Sequence, residues 1–168
     1  MDQIAKPLLG PGRHVKHAIK LDLGDYLPYL VNRVGSIIAD QFGGEALAPH
    51  RLSIAMWRVM AALAWNGSQR QTDLADMTSI ESSTLSRLVT RLVRMRLATR
   101  SRSTSSNREV AVTLTPKGQA LVARLIPIAR EYEAAAIAGL SREELGMLKS
   151  CLTRVYGNMK RRPPANAG

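Results

Sequence analysis

From Glu81 to Arg108 the chain carries seven arginines and a single acid, Glu81 itself. A guanidinium is a planar, permanently charged fork of N–H donors that matches a phosphate or the edge of a guanine in two-pronged fashion. Short hydroxyls are interleaved with these arginines: Ser82, Ser83, Thr84, Ser86 and Thr90 accompany Arg87, Arg91 and Arg94 in one stretch. Short side chains let a helix approach base edges closely. The arginines also lack the acidic neighbours that pair with basic residues on an ordinary solvated helix face. The chemistry this set can do is recognition of a polyanion, double-stranded DNA foremost.

Such a face needs a helix behind it. Leu85, Leu88, Val89 and Leu92 recur at steps of three and four residues, one buried stripe opposite the hydroxyls and arginines. Glu81 and Ser82 stand near the positive end of that helix and the cations toward its negative end, as the peptide dipoles favour. Ahead of it, Gln71 to Met77 reads as a shorter helix with Leu74, Met77 and Ile80 facing inward and a break at Thr78-Ser79-Ile80; Thr72, near its start, is a further candidate for DNA contact. Behind it, Leu97 to Arg102 and Val110 to Leu114 alternate apolar with polar around the turn formers 103–107, which predicts a two-stranded hairpin. Arg100, Arg102 and Arg108 would flank its tip and reach phosphates or a minor groove. The elements together make a winged helix-turn-helix.

Between the two chain ends the remainder reads as helical. Asp25 can cap a helix with Pro28 in its first turn, and Leu27, Leu30, Val31, Val34, Ile37, Ile38 and Phe42 give it an apolar face up to Gly43-Gly44. Ser53 caps the next helix, which Leu52 and Trp57 can staple and Asn66-Gly67 can end. Thr115-Pro116 opens a long helix that Pro127 should kink. Leu140 to Leu145 holds both a capping box and a staple for a last helix to about Lys160. Residues 1–22, with Pro7, Gly10, Pro11, Gly12 and scattered cations, read as a flexible basic arm, and 161–168 as a tail.

Several spaced strings resemble the MarR-type transcriptional regulators: Leu52-Ser53, Trp57-Arg58-Val59-Met60, Leu74-Ala75, Ser83 to Val89, Arg91-Leu92, and Val112-Thr113-Leu114-Thr115-Pro116-Lys117-Gly118. The resemblance covers the chain from residue 22 onward, with its specific motifs in 52–118. It implies a mainly α fold with a small β wing, in which a winged helix-turn-helix (49–115) is flanked by dimerisation helices at 23–48 and 116–160. It further implies a homodimer that places two recognition helices in major grooves about 34 to 36 Å apart, on palindromic DNA. Members of that family often bind small anionic aromatic compounds between the dimerisation helices and the DNA module. Tyr29, Arg33, His50, Trp57 and Arg58 are the candidates for that role here, although each also has a structural one. Three positions depart from the family pattern. Arg96 stands where Gly is usual, so a left-handed cap there would cost about 1 kcal/mol. Ser106 replaces an Asp two residues before Arg108, and Arg70 replaces a Thr or Ser cap.

Composition sets the outer limits. A charge of +11 and an apolar content of 45% in 168 residues suit one globular chain with a polyanionic partner. There is no phosphate-binding glycine loop, nucleophile elbow or His-Glu-x-x-His motif, so neither enzyme activity nor a cofactor is expected. His14, His17 and His50 read as solvated or phosphate-facing, with no metal expected, and Cys151, among Leu148, Leu152 and Val155, as a packing thiol. No apolar run approaches a membrane span and no signal-peptide core is present, which makes a cytoplasmic location the expectation. The function expected is a dimeric repressor that occupies a promoter and is released by a small ligand. The alternative is a nonspecific architectural or RNA-binding protein using the same basic surface.

Overall fold

The computed structural model describes residues 20–102 and 110–162. The chain divides into two compact units, Met1–Gly35 and Ser36–Gly168. In the first, the Asp22 carboxylate accepts a 2.8 Å bond from the Gly24 N–H, and the Tyr26 carbonyl accepts from Tyr29 and Leu30 to start helix α1 (Leu27–Phe42). The helix therefore opens one residue later than an Asp25 cap would place it. Leu27, Leu30, Val31 and Val34 lie exposed along it.

In the second unit α1 runs out into a wide turn (43–47) and a short 3-10 turn, Ala48–His50. Helix α2 (Ile54–Asn66) follows, with the Ser53 hydroxyl accepting from Met56 N–H at its start and Gly67, at φ 73°, closing its end. Then come β1 (Gln69–Arg70), α3 (Gln71–Thr78), α4 (Ser82–Arg94), β2 (Ala98–Arg102) and β3 (Val110–Leu114). Two long helices complete the unit, α5 (Pro116–Ala136) and α6 (Arg142–Arg161). The strands form an antiparallel sheet in the order β1-β3-β2, with Gln69 opposite Val112 and Arg100 opposite Val112 on the other side. The sheet thus has three strands where the sequence suggested two. The two residues of β1 are too few to show an alternating pattern.

One core ties these elements together. Leu47, Met56, Val59, Met60, Leu74, Leu85, Val89, Leu92, Leu97, Val112, Val122 and Leu125 are all fully buried in it. The stripe expected on α4 is therefore its inner face, with Leu88 half-buried beside it. On α3 the pattern differs from expectation. Met77 is exposed, and Thr78 is buried instead, its hydroxyl donating to the Leu74 carbonyl one turn back. A threonine tolerates that place because the helix itself satisfies its one polar group.

Among the described residues three non-glycines take left-handed conformations, and each ends a turn: Arg51 (φ 56°), Ser79 (φ 53°) and Arg96 (φ 58°). At Arg96 the pattern is a Schellman close. The Arg96 N–H bonds the Val93 carbonyl and the Leu97 N–H bonds the Leu92 carbonyl, both at 2.9 Å, while Leu92 and Leu97 pack in the core. The left-handed cap is thus kept although its glycine is absent. The start of α5 docks on this close. Thr115 caps α5 by accepting from Gly118 N–H and itself donates to the Arg96 carbonyl at 2.7 Å, and Lys117 reaches the Met95 carbonyl. Gly118 is required there, because a Cβ would fall 2.0 Å from the Leu97 carbonyl oxygen. Pro127 lies inside α5, which runs unbroken through it. The capping box of α6 is present, Ser141 and Glu144 each bonding the other's backbone N–H.

Candidate nucleic-acid interface

Helix α4 is positioned by its two ends. At the first, Glu81 is the cap: its carboxylate accepts from the Ser83 and Thr84 backbone N–H groups, at 3.0 Å each, and from the Ser83 hydroxyl. These bonds, the Ser83 hydroxyl first, hold the Glu81 carboxyl at a pKa of about 2, well below its ordinary 4.5. The turn before it is fixed by Ser79, whose left-handed backbone closes α3 through a bond from Ile80 N–H to the Ala75 carbonyl. At the other end the Schellman close and the Thr115 contact hold the helix against α5. Neighbouring α3 starts without a side-chain cap. Instead Arg70 grips Asp73 through two bonds, Nε at 2.8 Å and Nη2 at 3.0 Å, and thereby lowers the Asp73 pKa. Thus Arg70 at the cap position is compensated by an acid in the first turn, where the helix dipole favours it.

With Leu85, Val89 and Leu92 turned inward, α4 leaves Ser82, Ser83, Ser86, Arg87, Arg91 and Arg94 exposed and Thr84 and Thr90 half-buried. The structure thus brings eight of the expected contact residues onto one helix. Thr72 is exposed in the first turn of α3. Arg102 closes β2 opposite Val110, and Arg108 lies outside the described residues. Internal bonds already occupy some of these groups. Thr90 donates to the Ser86 carbonyl (2.8 Å), Arg87 reaches the Thr84 hydroxyl (3.4 Å), and Arg91 reaches the Arg51 carbonyl (3.3 Å).

Arg100 behaves differently from the expectation that it flanks the wing tip. Its Nη2 donates to the Ser86 carbonyl at 2.9 Å and to the Thr90 hydroxyl at 3.0 Å, so it ties the wing strand to the middle of α4. A sequence signal for this exists. Residues two apart on a strand share a face, and Ala98, buried at the foot of β2, puts Arg100 on the side that looks at α4.

The residues considered for a small ligand are distributed between the units. Tyr29 and Arg33 are exposed on the first unit's part of α1. On the second, His50 is half-buried, Arg58 is exposed, and Trp57 packs edge-on against Phe42 with ring centroids 5.5 Å apart. Phe42 makes a second such contact with Tyr132, whose hydroxyl donates to Glu45. Among the described residues no group of three His, Cys, Asp or Glu is placed to share a metal ion, and His14 and His17 lie outside them. Cys151 is half-buried, with Arg154 Nη2 at 3.8 Å from its sulfur. Among the described residues no helix is long and apolar enough to cross a membrane.

A capped helix with a hydroxyl and arginine face, preceded by a tight turn from a shorter helix and followed by a strand ribbon, defines a winged helix-turn-helix DNA-binding protein. The MarR family model matches residues 52–110, the span from the start of α2 to the first residue of β3. Two solved structures share the fold. A MarR-family transcriptional regulator from Silicibacter pomeroyi is 28% identical, with a TM-score of 0.74 over 83% of this chain and 93% of that one. The BpsR protein of Bordetella bronchiseptica, whose DNA binding is regulated by 6-hydroxynicotinic acid, is 26% identical, with a TM-score of 0.69 over 77% of this chain and 97% of its own. An HTH-type transcriptional repressor of Mycobacterium tuberculosis is 26% identical over 129 residues, 77% of this chain and 92% of that protein. Over its helix-turn-helix and first wing strand the chain is thus similar to the MarR family of DNA-binding transcriptional regulators.

Proposed function

We propose that the protein is a homodimeric repressor that occupies palindromic promoter DNA, with α4 of each protomer in a major groove, and that a small aromatic acid releases it. The observation that carries this reading is α4 itself. Its buried side is apolar, its outer side holds Ser82, Ser86, Arg87, Arg91 and Arg94, and its one acid is consumed as the helix cap. Arg87 and Ser86 are the proposed base-reading pair at its centre; Ser83, Thr84, Thr90 and Thr72 line the approach, and Arg91, Arg94, Arg102 and Arg108 are proposed to meet phosphates.

Dimerisation is supported by what the helices outside the reader leave uncovered. Leu148, Leu152, Val155 and Met159 run along α6 exposed, and α1 exposes its own apolar residues. A second copy of the same helices is the proposed cover, with 23–48 and 116–160 as the dimerisation segments. Ligand control is supported by the BpsR relative. The candidates for ligand contact are Tyr29 and Arg33 on the first unit and His50, Trp57 and Arg58 on the second.

A titration of a palindromic duplex, selected by the protein from a random pool, against its scrambled counterpart at two salt concentrations tests the reading. A large affinity ratio that survives added salt is expected. Equal affinities that fall together would replace it with a nonspecific architectural role. For the ligand, a panel of aromatic acids should contain at least one that both raises the melting temperature and lowers DNA affinity.

A further inference from the structure

The last turn of α6 is basic: Lys160 and Arg161 close the helix and Arg162 follows it, all exposed. Within the second unit this end lies against the turn that precedes α4. The Tyr156 hydroxyl and the Ser79 hydroxyl share a 2.8 Å hydrogen bond, and Lys160 Nζ stands 4.0 Å from the Asp76 carboxylate. Between the two elements is a cleft of about 340 Å³ with Ala75 and Ile80 at its floor and Glu81 and Ser82 at its rim.

Cations in a last helical turn have an ordinary explanation, since they suit the negative end of the helix. That explanation does not call for contact with a DNA-reading module. In a helix-turn-helix the first residues of the recognition helix meet the base edges while the helix before it crosses the backbone, so an element packed on the turn between them is close to the path of the sugar-phosphate backbone. The acids nearby are already engaged. Glu81 caps α4, and Asp76 faces Lys160. Among the described residues Arg161 bonds a neutral amide, with its Nη2 3.0 Å from Asn158 Oδ1. The charge this end presents outward is therefore positive.

We propose that Lys160, Arg161 and Arg162 are an accessory phosphate-binding end of α6, held beside the recognition helix by Tyr156 on Ser79, with the duplex backbone flanking the α4 site as partner. The proposal rests on α4 being the reading helix. Phosphate contacts carry no sequence information, so this end adds affinity for every duplex alike.

The test is the full-length variant Lys160→Gln/Arg161→Gln/Arg162→Gln on a mixed-sequence duplex, with Arg87→Ala on the selected palindrome in parallel. The triple variant is expected to keep the wild-type circular dichroism and melting temperature. It should bind the mixed-sequence duplex more weakly, and its plot of log affinity against log salt should flatten by roughly 0.9 for each phosphate no longer neutralised. Its preference for the selected palindrome over the mixed sequence should stay at the wild-type ratio. A salt slope identical to that of wild type overturns the proposal, as does a changed sequence preference at unchanged slope. If Arg87→Ala weakens binding while the triple variant does not, only the α6 end is refuted; if Arg87→Ala has no effect, it is the reading face that fails.

Discussion

Arginines on a DNA-binding module are commonly counted as phosphate ligands, but Arg100 is committed within the protein, and substitution should separate the roles. Arg100 donates to Ser86 and Thr90 on α4, so its removal loosens the wing against the reading helix without releasing a counterion. Arg100→Ala is expected to weaken binding to the selected duplex several-fold with the salt slope unchanged, whereas removing a cation that neutralises a phosphate lowers that slope by about 0.9. A flattened slope would return Arg100 to the DNA. Arg96 is held in the left-handed region at φ 58°. Arg96→Gly should therefore stabilise the fold by up to about 1 kcal/mol, read as a higher denaturant midpoint; a lower midpoint would mean that the arginine contributes more than its backbone costs. Glu81 titrates with a known sign. Its carboxyl is held at about 2, below its ordinary 4.5. The cap's contribution is thus complete above pH 4.5 and is lost as pH falls toward 2. The stability gap between wild type and Glu81→Ala should be widest at neutral pH and close across that window, and a gap independent of pH would remove the cap from the account. That these hydroxyls and arginines share the outer side of one helix was legible in the sequence, because they alternate with an apolar stripe at helical spacing. Which of those groups are tied up internally was not, since the bonds of Arg100 and Arg91 cross 14 and 40 residues.

At the scale of elements, the helices and the wing strands follow from local signals: Ser53, Thr115 and Ser141 each cap the helix that follows them. What the sequence hid were features decided by packing. The strand β1 exists because β3 offers it a partner, and Thr78 rather than Met77 lies inward, one turn after buried Leu74, whose carbonyl satisfies its hydroxyl. The joint between α4 and α5 is of the same kind. Thr115, Lys117 and Gly118 engage three consecutive residues, Met95, Arg96 and Leu97, at the end of the reading helix. Because a Cβ at position 118 would sit 2.0 Å from a backbone oxygen, Gly118→Ala must push α5 away from that end. The expected outcome is a loss of more than about 1 kcal/mol in stability, the range in which overpacking and strain fall. A melting temperature equal to that of wild type would show that the joint yields freely.

At the scale of the whole molecule, the question is what covers the apolar stripe of α6. Leu148, Leu152 and Val155 repeat at four and three residues and remain 45%, 39% and 38% exposed, too regular and too contiguous for scattered surface leucines. If a second protomer covers it about a two-fold axis, every substitution counts twice. Burying one leucine contributes about 1.5 to 3 kcal/mol, so placing a charge at this site in both protomers removes roughly twice that and opposes burial as well. Leu152→Glu should accordingly sediment as a monomer where wild type is a dimer, and its melting temperature should no longer rise with protein concentration. Its affinity for the palindrome should fall by far more than tenfold, because two half-sites held by one rigid pair bind with an effective concentration that separate readers lack. Binding to a single half-site should be nearly preserved, since α4 and its cap lie on a different part of the chain. A variant of unchanged mass and affinity would mean that another face joins the protomers.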